Sequence, residues 1–142
     1  MTITSPGNAV LERIFVDTAF VIAVVNERDQ YHQQARELAD RFEGHPMLVT
    51  DAVLLEIGNA FSRNFKPQAV EIIGFFMTSD EVEIIHLSHA LFDKAFALYK
   101  KYQDKEWSLV DCLSFIVMRE QAVKQALTFD QHFIQAGFTI LV

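Results

Sequence analysis

Four carboxylates occupy places where a charge needs a reason. Asp17 follows the apolar run Ile14-Phe15-Val16, and Asp130 follows Ala126-Leu127-Thr128-Phe129. Both runs read as strands, and in an open parallel sheet ligands bind beyond the carboxyl ends of the strands. Glu56 lies three residues after Val53 and four before Ala60, along the apolar stripe of a helical pattern. An ionised carboxylate there needs a cation, a metal or a proton. Asp111 sits in Leu109–Met118, a segment whose only polar residues are Asp111 and Ser114. Each acid also has an ordinary structural role open to it: helix capping for Asp17 and Asp130, a buried ion pair for Glu56, and a capping box with Ser108 for Asp111. Four acids from well-separated segments, each at a strand end, a helix start or a buried helix face, are explained together by convergence. Carboxylates so grouped repel one another unless a cation neutralises them, and hard oxygen donors suit Mg²⁺ or Mn²⁺. Such an ion leaves coordination positions for phosphate oxygens and water, so metal-dependent phosphodiester hydrolysis is the matching chemistry.

Positioning these groups requires strands and helices in alternation. Arg13–Val16 reads as a strand, Ala19–Val25 as a helix and Tyr31–Phe42 as an amphipathic helix stopped by Gly44-His45-Pro46. Met47–Val49 is a short strand. Thr50 or Asp51 can cap the next helix, whose buried stripe is Val53, Ile57, Ala60 and Phe61. Lys66-Pro67 separates it from a helix running to about Met77. Glu81–Leu87 reads as a strand, followed from Ser88 by a helix presenting Leu91, Phe92, Ala95, Phe96 and Tyr99. Leu109–Met118 is a helix, and Gln125–Phe129 and Thr139–Val142 are strands. This alternation implies an α/β protein with a mainly parallel sheet and helices on both faces. Residues 1–11 read as a loose tail and residues 12–142 as one domain.

Composition agrees. With 142 residues, 51% of them hydrophobic and 13 of them Phe, the chain can bury a core large enough to offset its ordering entropy. The formal charge of −7 excludes a generally basic nucleic-acid binder, and discounting the four acids raises it only to −3. Cys112 is the single cysteine, which excludes an internal disulfide and suits a reducing cytoplasm. The N-terminus lacks a signal-peptide pattern, and the seven apolar residues Ala19–Val25 fall well short of the roughly 20 that span a bilayer. No membrane segment is expected.

In order, Val16-Asp17-Thr18, Leu55-Glu56-Ile57-Gly58-Asn59-Ala60, Trp107-Ser108-Leu109-Val110-Asp111 and Thr128-Phe129-Asp130 resemble the acidic motifs of PIN-domain ribonucleases. The resemblance covers nearly the whole chain. The segments DKEWSLVDCLSF and ALTFDQHFIQAGF are similar to a bacterial branch of the VapC-like toxin group. It implies a three-layer α/β/α sandwich around a central, mainly parallel sheet, a Mg²⁺ or Mn²⁺ site, and endonucleolytic cleavage of RNA leaving 5′-phosphate and 3′-hydroxyl ends. Asp17, Glu56, Asp111 and Asp130 match the family's catalytic, metal-binding acids. Thr18, Ser108 and Thr128 fall where small hydroxyl residues hydrogen-bond a carboxylate or a metal's water. Ala19 departs from the polar residue common in relatives, which removes one supporting contact and no metal ligand. The resemblance also implies a homodimer and, for toxin members, a cognate antitoxin that inserts a segment near the acids.

An RNA grip would have to be local. Arg63 and Lys66 lie beyond the Glu56 helix, and Lys100, Lys101 and Lys105 lie ahead of Asp111, with Tyr99, Tyr102 and Trp107 available to stack on bases. The competing and favoured reading makes these lysines a solvated helix end and Trp107 a core residue. His86 and His89 flank a strand-to-helix turn and read as surface residues. His132, beside Asp130, is left out of the site. Two other functional classes fit less well. A non-catalytic RNA- or partner-binding module is disfavoured by the presence of all four acids. An acyl-phosphate or receiver protein is disfavoured because Asp17-Thr18-Ala19 lacks a second nearby Asp and no matching lysine lies near the last strand.

Overall fold

Runs of β-branched and aromatic residues form short strands, and amphipathic runs between them form helices. The computed structural model describes residues 11–142, so all of the expected tail except Leu11 lies outside the described residues. The elements are β1 (Ile14–Val16), α1 (Thr18–Val25), α2 (His32–Arg41), β2 (Met47–Thr50), α3 (Asp51–Ala60), α4 (Lys66–Thr78), β3 (Val82–Ile85), α5 (His89–Lys101), α6 (Leu109–Glu120), β4 (Gln125–Leu127), α7 (His132–Gln135) and β5 (Thr139–Ile140). The strand order is β3-β2-β1-β4-β5, and every neighbouring pair is parallel. The mainly parallel sheet expected from the alternation is therefore wholly parallel among the described residues.

Parallel neighbours need crossover connections, and these are right-handed. Moving outward from β1 to β2 to β3, the chain lays α1–α4 on one face. Moving back to β4 and on to β5, it lays α5–α7 on the other. The packing follows suit: α1 contacts α2 and α3, α3 contacts α4, α5 contacts α6, and α6 contacts α7. The result is the expected three-layer α/β/α sandwich. The direction of progression reverses between β1 and β4, so a crevice opens at their carboxyl ends, where Asp17 and Asp130 stand.

The helix carrying Asp111 is held by the core. In α6, Cys112, Leu113, Ser114, Phe115, Val117 and Met118 are all buried, as its nearly unbroken apolar character requires. The Phe115 ring meets Phe133 edge-on at 5.0 Å and Trp107 at 5.1 Å, and Phe133 reaches Phe15 of β1 at 6.1 Å. Each fully buried ring contributes about 1.5–3 kcal/mol by removal from water. Truncating one would loosen the helix start that positions Asp111.

Several local expectations change. Pro67 starts α4 rather than separating two helices, because its fixed φ and missing N–H suit a first helical turn. Thr50, not Asp51, caps α3 by accepting from the Val53 amide at 3.2 Å. Ala60 is exposed at the end of α3, while Val53, Ile57 and Phe61 are buried. On α5 the buried face is Ala95 and Leu98 with Leu91 and Tyr102 beside them, leaving Phe92, Phe96 and Tyr99 exposed. The helix carries two apolar stripes, and the one containing small Ala95 allows α6 to approach closely. Among the described residues no helix is long and apolar enough to cross a membrane.

Candidate active site

β1 and β4 pair with Val16 opposite Leu127, so the residues that follow, Asp17 and Thr128, meet at the carboxyl ends of these two interior strands. The Asp17 amide donates to the Leu127 carbonyl at 3.1 Å, and Thr128 Oγ1 donates to Asp17 Oδ2 at 2.7 Å. Asp17 occupies the N-cap position of α1 but makes no side-chain capping bond, so the plain capping role is not the one it plays. The residue is only 5% exposed, and burial pushes its carboxyl from an ordinary 3.8 up to about 7. The hydrogen bond from Thr128 opposes that rise, while the charges of Asp111 and Asp130 add to it.

Asp111 makes the capping box that its spacing from Ser108 predicts. Its amide donates to Ser108 Oγ at 3.0 Å, and its Oδ2 accepts from the Ser108 amide at 3.0 Å. Burial again raises its carboxyl, the Ser108 bond opposes, and the Asp130 charge raises it further. Capping and membership of an acidic group coexist here, because one oxygen serves the helix start and the carboxylate still faces Asp130. The Thr128 hydroxyl also serves two acids: while donating to Asp17, it accepts from the Asp130 amide at 3.0 Å.

Asp130 Oδ1 accepts from the His132 amide at 2.9 Å, closing a tight turn before α7. That turn brings in a residue left out of the sequence-derived site. His132 Nδ1 lies 3.1 Å from Asp130 Oδ1 and 3.3 Å from Asp111 Oδ2, in ion-pair range of both though aligned for a hydrogen bond with neither. One donor atom each from Asp111, Asp130 and His132 fall within 4.8 Å of one another, a spacing able to hold a metal ion. The available signal was the two-residue offset from Asp130, which matters only once Asp130 is seen to fold the chain back.

Glu56 and Asp17 do not join that tight group. Glu56 is half-buried on α3, and its Oε1 accepts from Thr18 Oγ1 at 2.7 Å. Its partner is a hydroxyl on the residue next to Asp17, where its place on an apolar stripe predicts a cation, a metal or a proton; partial exposure supplies the rest of its solvation. Mutual charge links Asp17, Asp111 and Asp130, while Glu56 is tied to them only through the Thr18 hydroxyl next to Asp17. Among the described residues no Lys or Arg lies in salt-bridge range of any of them. Two carboxylates and an imidazole at this spacing, with the buried Asp17 carboxyl close enough to feel both acids and no Lys or Arg in salt-bridge range among the described residues, are a donor set that fits a divalent cation such as Mg²⁺ or Mn²⁺.

The other candidates divide. Trp107 is only 6% exposed, and its Nε1 donates to Gln135 Oε1 at 3.0 Å, so it is a core residue as favoured and offers no base a platform. Tyr102 is half-buried against Trp107 and beneath the Lys101 ammonium. Arg63, Lys66, Lys100, Lys101, Lys105 and Tyr99 are exposed. His86 and His89 pair with Asp51 and Asp93 at the surface. One cleft is lined by an acid of the group and a second by the residue that caps Asp111. The first, of about 340 Å³, is lined by Asp130 with Phe129 and Tyr31, whose rings stack at 4.5 Å. Ser108 lines the second, of about 610 Å³, under the end of α5.

A wholly parallel five-stranded sheet between two helical layers, with acids gathered at its switch point, defines the PIN-like class of α/β sandwiches. Residues 14–139 match the model of the PIN domain, and the chain belongs to the PIN-domain family. It is 32% identical over 127 residues to a protein of Mycobacterium tuberculosis named 23S rRNA-specific endonuclease VapC20, covering 88% of this chain and 95% of that one. The crystal structure of M. tuberculosis VapC20, described as a sarcin-ricin loop cleaving toxin, superposes with a TM-score of 0.79 and 30% identity over 89% of this chain and 96% of that one. A toxin-antitoxin complex from Klebsiella pneumoniae matches with a TM-score of 0.64 at 13% identity, over 91% of this chain and 96% of that one. FitAcB from Neisseria gonorrhoeae matches with 0.60 at 12%, with the same coverage. These last two show the fold alone.

Proposed function

We propose that the protein is a metal-dependent endoribonuclease that hydrolyses RNA phosphodiester bonds, acting as the toxin of a toxin-antitoxin pair. The observation that carries this is the acidic group at the switch point: Asp111 and Asp130 lie at metal-holding spacing, Thr128 bridges Asp130 to the buried Asp17, and among the described residues no Lys or Arg is in salt-bridge range. The name of the M. tuberculosis relative supports RNA as the polymer, and an rRNA hairpin as the first substrate to try.

Asp17, Glu56, Asp111 and Asp130 would hold Mg²⁺ or Mn²⁺. Bound there, the cation supplies positive charge for the phosphate oxygens and a more acidic water. The chain's own residues do the rest. Thr128 fixes the Asp17 carboxylate, Thr18 fixes Glu56, and the backbone and hydroxyl of Ser108 fix Asp111. Asp130, tied down through Thr128 and the His132 amide, orients the attacking water by accepting its hydrogen bond. In-line attack at phosphorus breaks the P–O3′ bond and leaves 5′-phosphate and 3′-hydroxyl ends. Negative charge on all four acids without a cation would repel the phosphate, so they contribute only when neutralised.

The test is cleavage of total RNA and an rRNA hairpin with Mn²⁺, Mg²⁺ or EDTA, beside Asp17→Asn and Asp111→Asn. Cutting that requires the metal and disappears in both folded variants supports the reading. Variants that cut like wild type overturn the site. The same reading makes the protein cytoplasmic and homodimeric, with a cognate antitoxin whose basic side chain enters among the acids. Affinity capture from the native host that recovers only the protein itself would refute the antitoxin.

A further inference from the structure

The exposed stripe on α5 is the feature the fold does not use. Phe96 and Tyr99, 49% and 45% exposed, lie three residues apart on one helix face, beside the stripe buried through Ala95 and Leu98. Both line the cleft of about 610 Å³, within the range of about 300–1,000 Å³ usual for small-ligand sites. Lys100 and Lys105 line it too, with Glu106 as its single carboxylate. Among the described residues, Lys105 pairs only with Asp104, at 3.5 Å on the surface. On a chain of net charge −7, aromatic faces flanked by ammonium groups form a local exception to the general repulsion of polyanions.

Position ties the cleft to the chemistry. Its lining includes Ser108, whose hydroxyl and amide hold Asp111, so a ligand in the cleft touches the residue that positions one of the acids. Exposed aromatic faces beside basic side chains are the means by which proteins hold unpaired nucleotides, because every base has a π-face and every linkage a charge. Resting on the ribonuclease reading above, we propose that this cleft is the RNA-gripping subsite: Phe96 and Tyr99 stack an unpaired base next to the cleaved bond, and Lys100 and Lys105 hold the flanking phosphates.

The test is binding of a fluorescein-labelled single-stranded octaribonucleotide to full-length Asp17→Asn protein, which does not cut, at several salt concentrations. Adding Lys100→Ala and Lys105→Ala should weaken binding and flatten the log affinity against log salt by about 1.4, two single-strand phosphate contacts. Adding Tyr99→Ala should weaken binding at least about five-fold with the salt slope unchanged, and Tyr99→Trp should restore it. Phe92→Ser, on the same helix but outside the cleft, should change neither. Unaltered affinity and slope in the lysine and tyrosine variants, while wild type cuts RNA in Mn²⁺, would overturn the subsite and leave the ribonuclease standing. Wild type that neither cuts nor binds RNA would overturn the ribonuclease and the subsite with it. If light scattering shows that Tyr99→Ala or Phe96→Ser turns a dimer into a monomer, the stripe is a contact between copies and the subsite is refuted.

Discussion

Replacing Asp17 by Asn should make the cation-free protein more stable, increasingly so as the pH rises. The Asp17 carboxyl titrates near 3.8 in the unfolded chain and is pushed by burial to about 7 in the folded one. The folded state therefore binds this proton more tightly. Its contribution to stability is complete below pH 4 and is lost as the pH climbs to 7. At 1.36 kcal/mol per pK unit, the loss is about 2 kcal/mol at pH 5.5 and about 4 kcal/mol above pH 7. Asn keeps an oxygen to accept from Thr128 Oγ1 and has no charge to bury, so it escapes the loss. For a chain of this length, about 3 °C per kcal/mol gives the variant a Tm about 10 °C above wild type at pH 8 in EDTA, and nearly equal to it at pH 4. Thermal unfolding followed by circular dichroism across pH 4–8.5 measures the gap, and the difference between the two proteins cancels titrations they share. Mn²⁺ should reverse the order, because it binds the ionised carboxylate of wild type and meets a neutral amide in the variant. A gap that stays flat from pH 4 to 8, or a variant less stable than wild type at pH 8 in EDTA, refutes the account of Asp17 as an unneutralised buried carboxyl.

Three further outcomes follow from named contacts. Thr128→Val removes the donor to Asp17 and the acceptor for the Asp130 amide, so it should cost about 1–3 kcal/mol and weaken Mn²⁺ binding, read by urea denaturation and metal titration. The Cys112 thiol, fully buried, is pushed up to about 11 first by burial and then by the Asp111 charge. Iodoacetamide at pH 8 should therefore leave it unmodified in the native protein and alkylate it in urea, by mass spectrometry. Ala122 adopts φ 55° in the turn that ends α6, where Val123 N bonds Met118 O and Ala122 N bonds Arg119 O. Glycine prefers that left-handed position, so Ala122→Gly should raise stability by up to about 1 kcal/mol.

The alternation of strands and helices was legible because apolar runs of the right length are bounded by turn residues, and element ends moved by only a few residues. β4 stops at Leu127 rather than Phe129, since Thr128 leaves the ladder to serve the two acids. The face of α5 was not legible. Its sequence is apolar on two sides, and only packing against α6 chooses Ala95 and Leu98 over Phe96 and Tyr99. His132 was missed for a related reason: its place near Asp111 comes from a turn, and no periodicity records a turn. Thr18 was legible as a supporting residue only through resemblance, because the carboxylate it meets lies 38 positions away.

The acids were easier to read, and the reason is physical. Asp17 and Asp111 stand out in the sequence because each interrupts an apolar run, and an apolar surrounding is what raises their carboxyls. The contrast visible in the sequence and the energetic cost in the fold are one quantity seen twice. A stable domain would ordinarily lose such a charge, as the predicted gain from Asp17→Asn expresses. If Asp17 holds a cation as proposed, what the charge provides in return is a buried, oriented oxygen that ionises fully when the cation arrives. Stability without metal and affinity for metal are then opposed at the same atom, so a substitution that improves one should worsen the other in proportion.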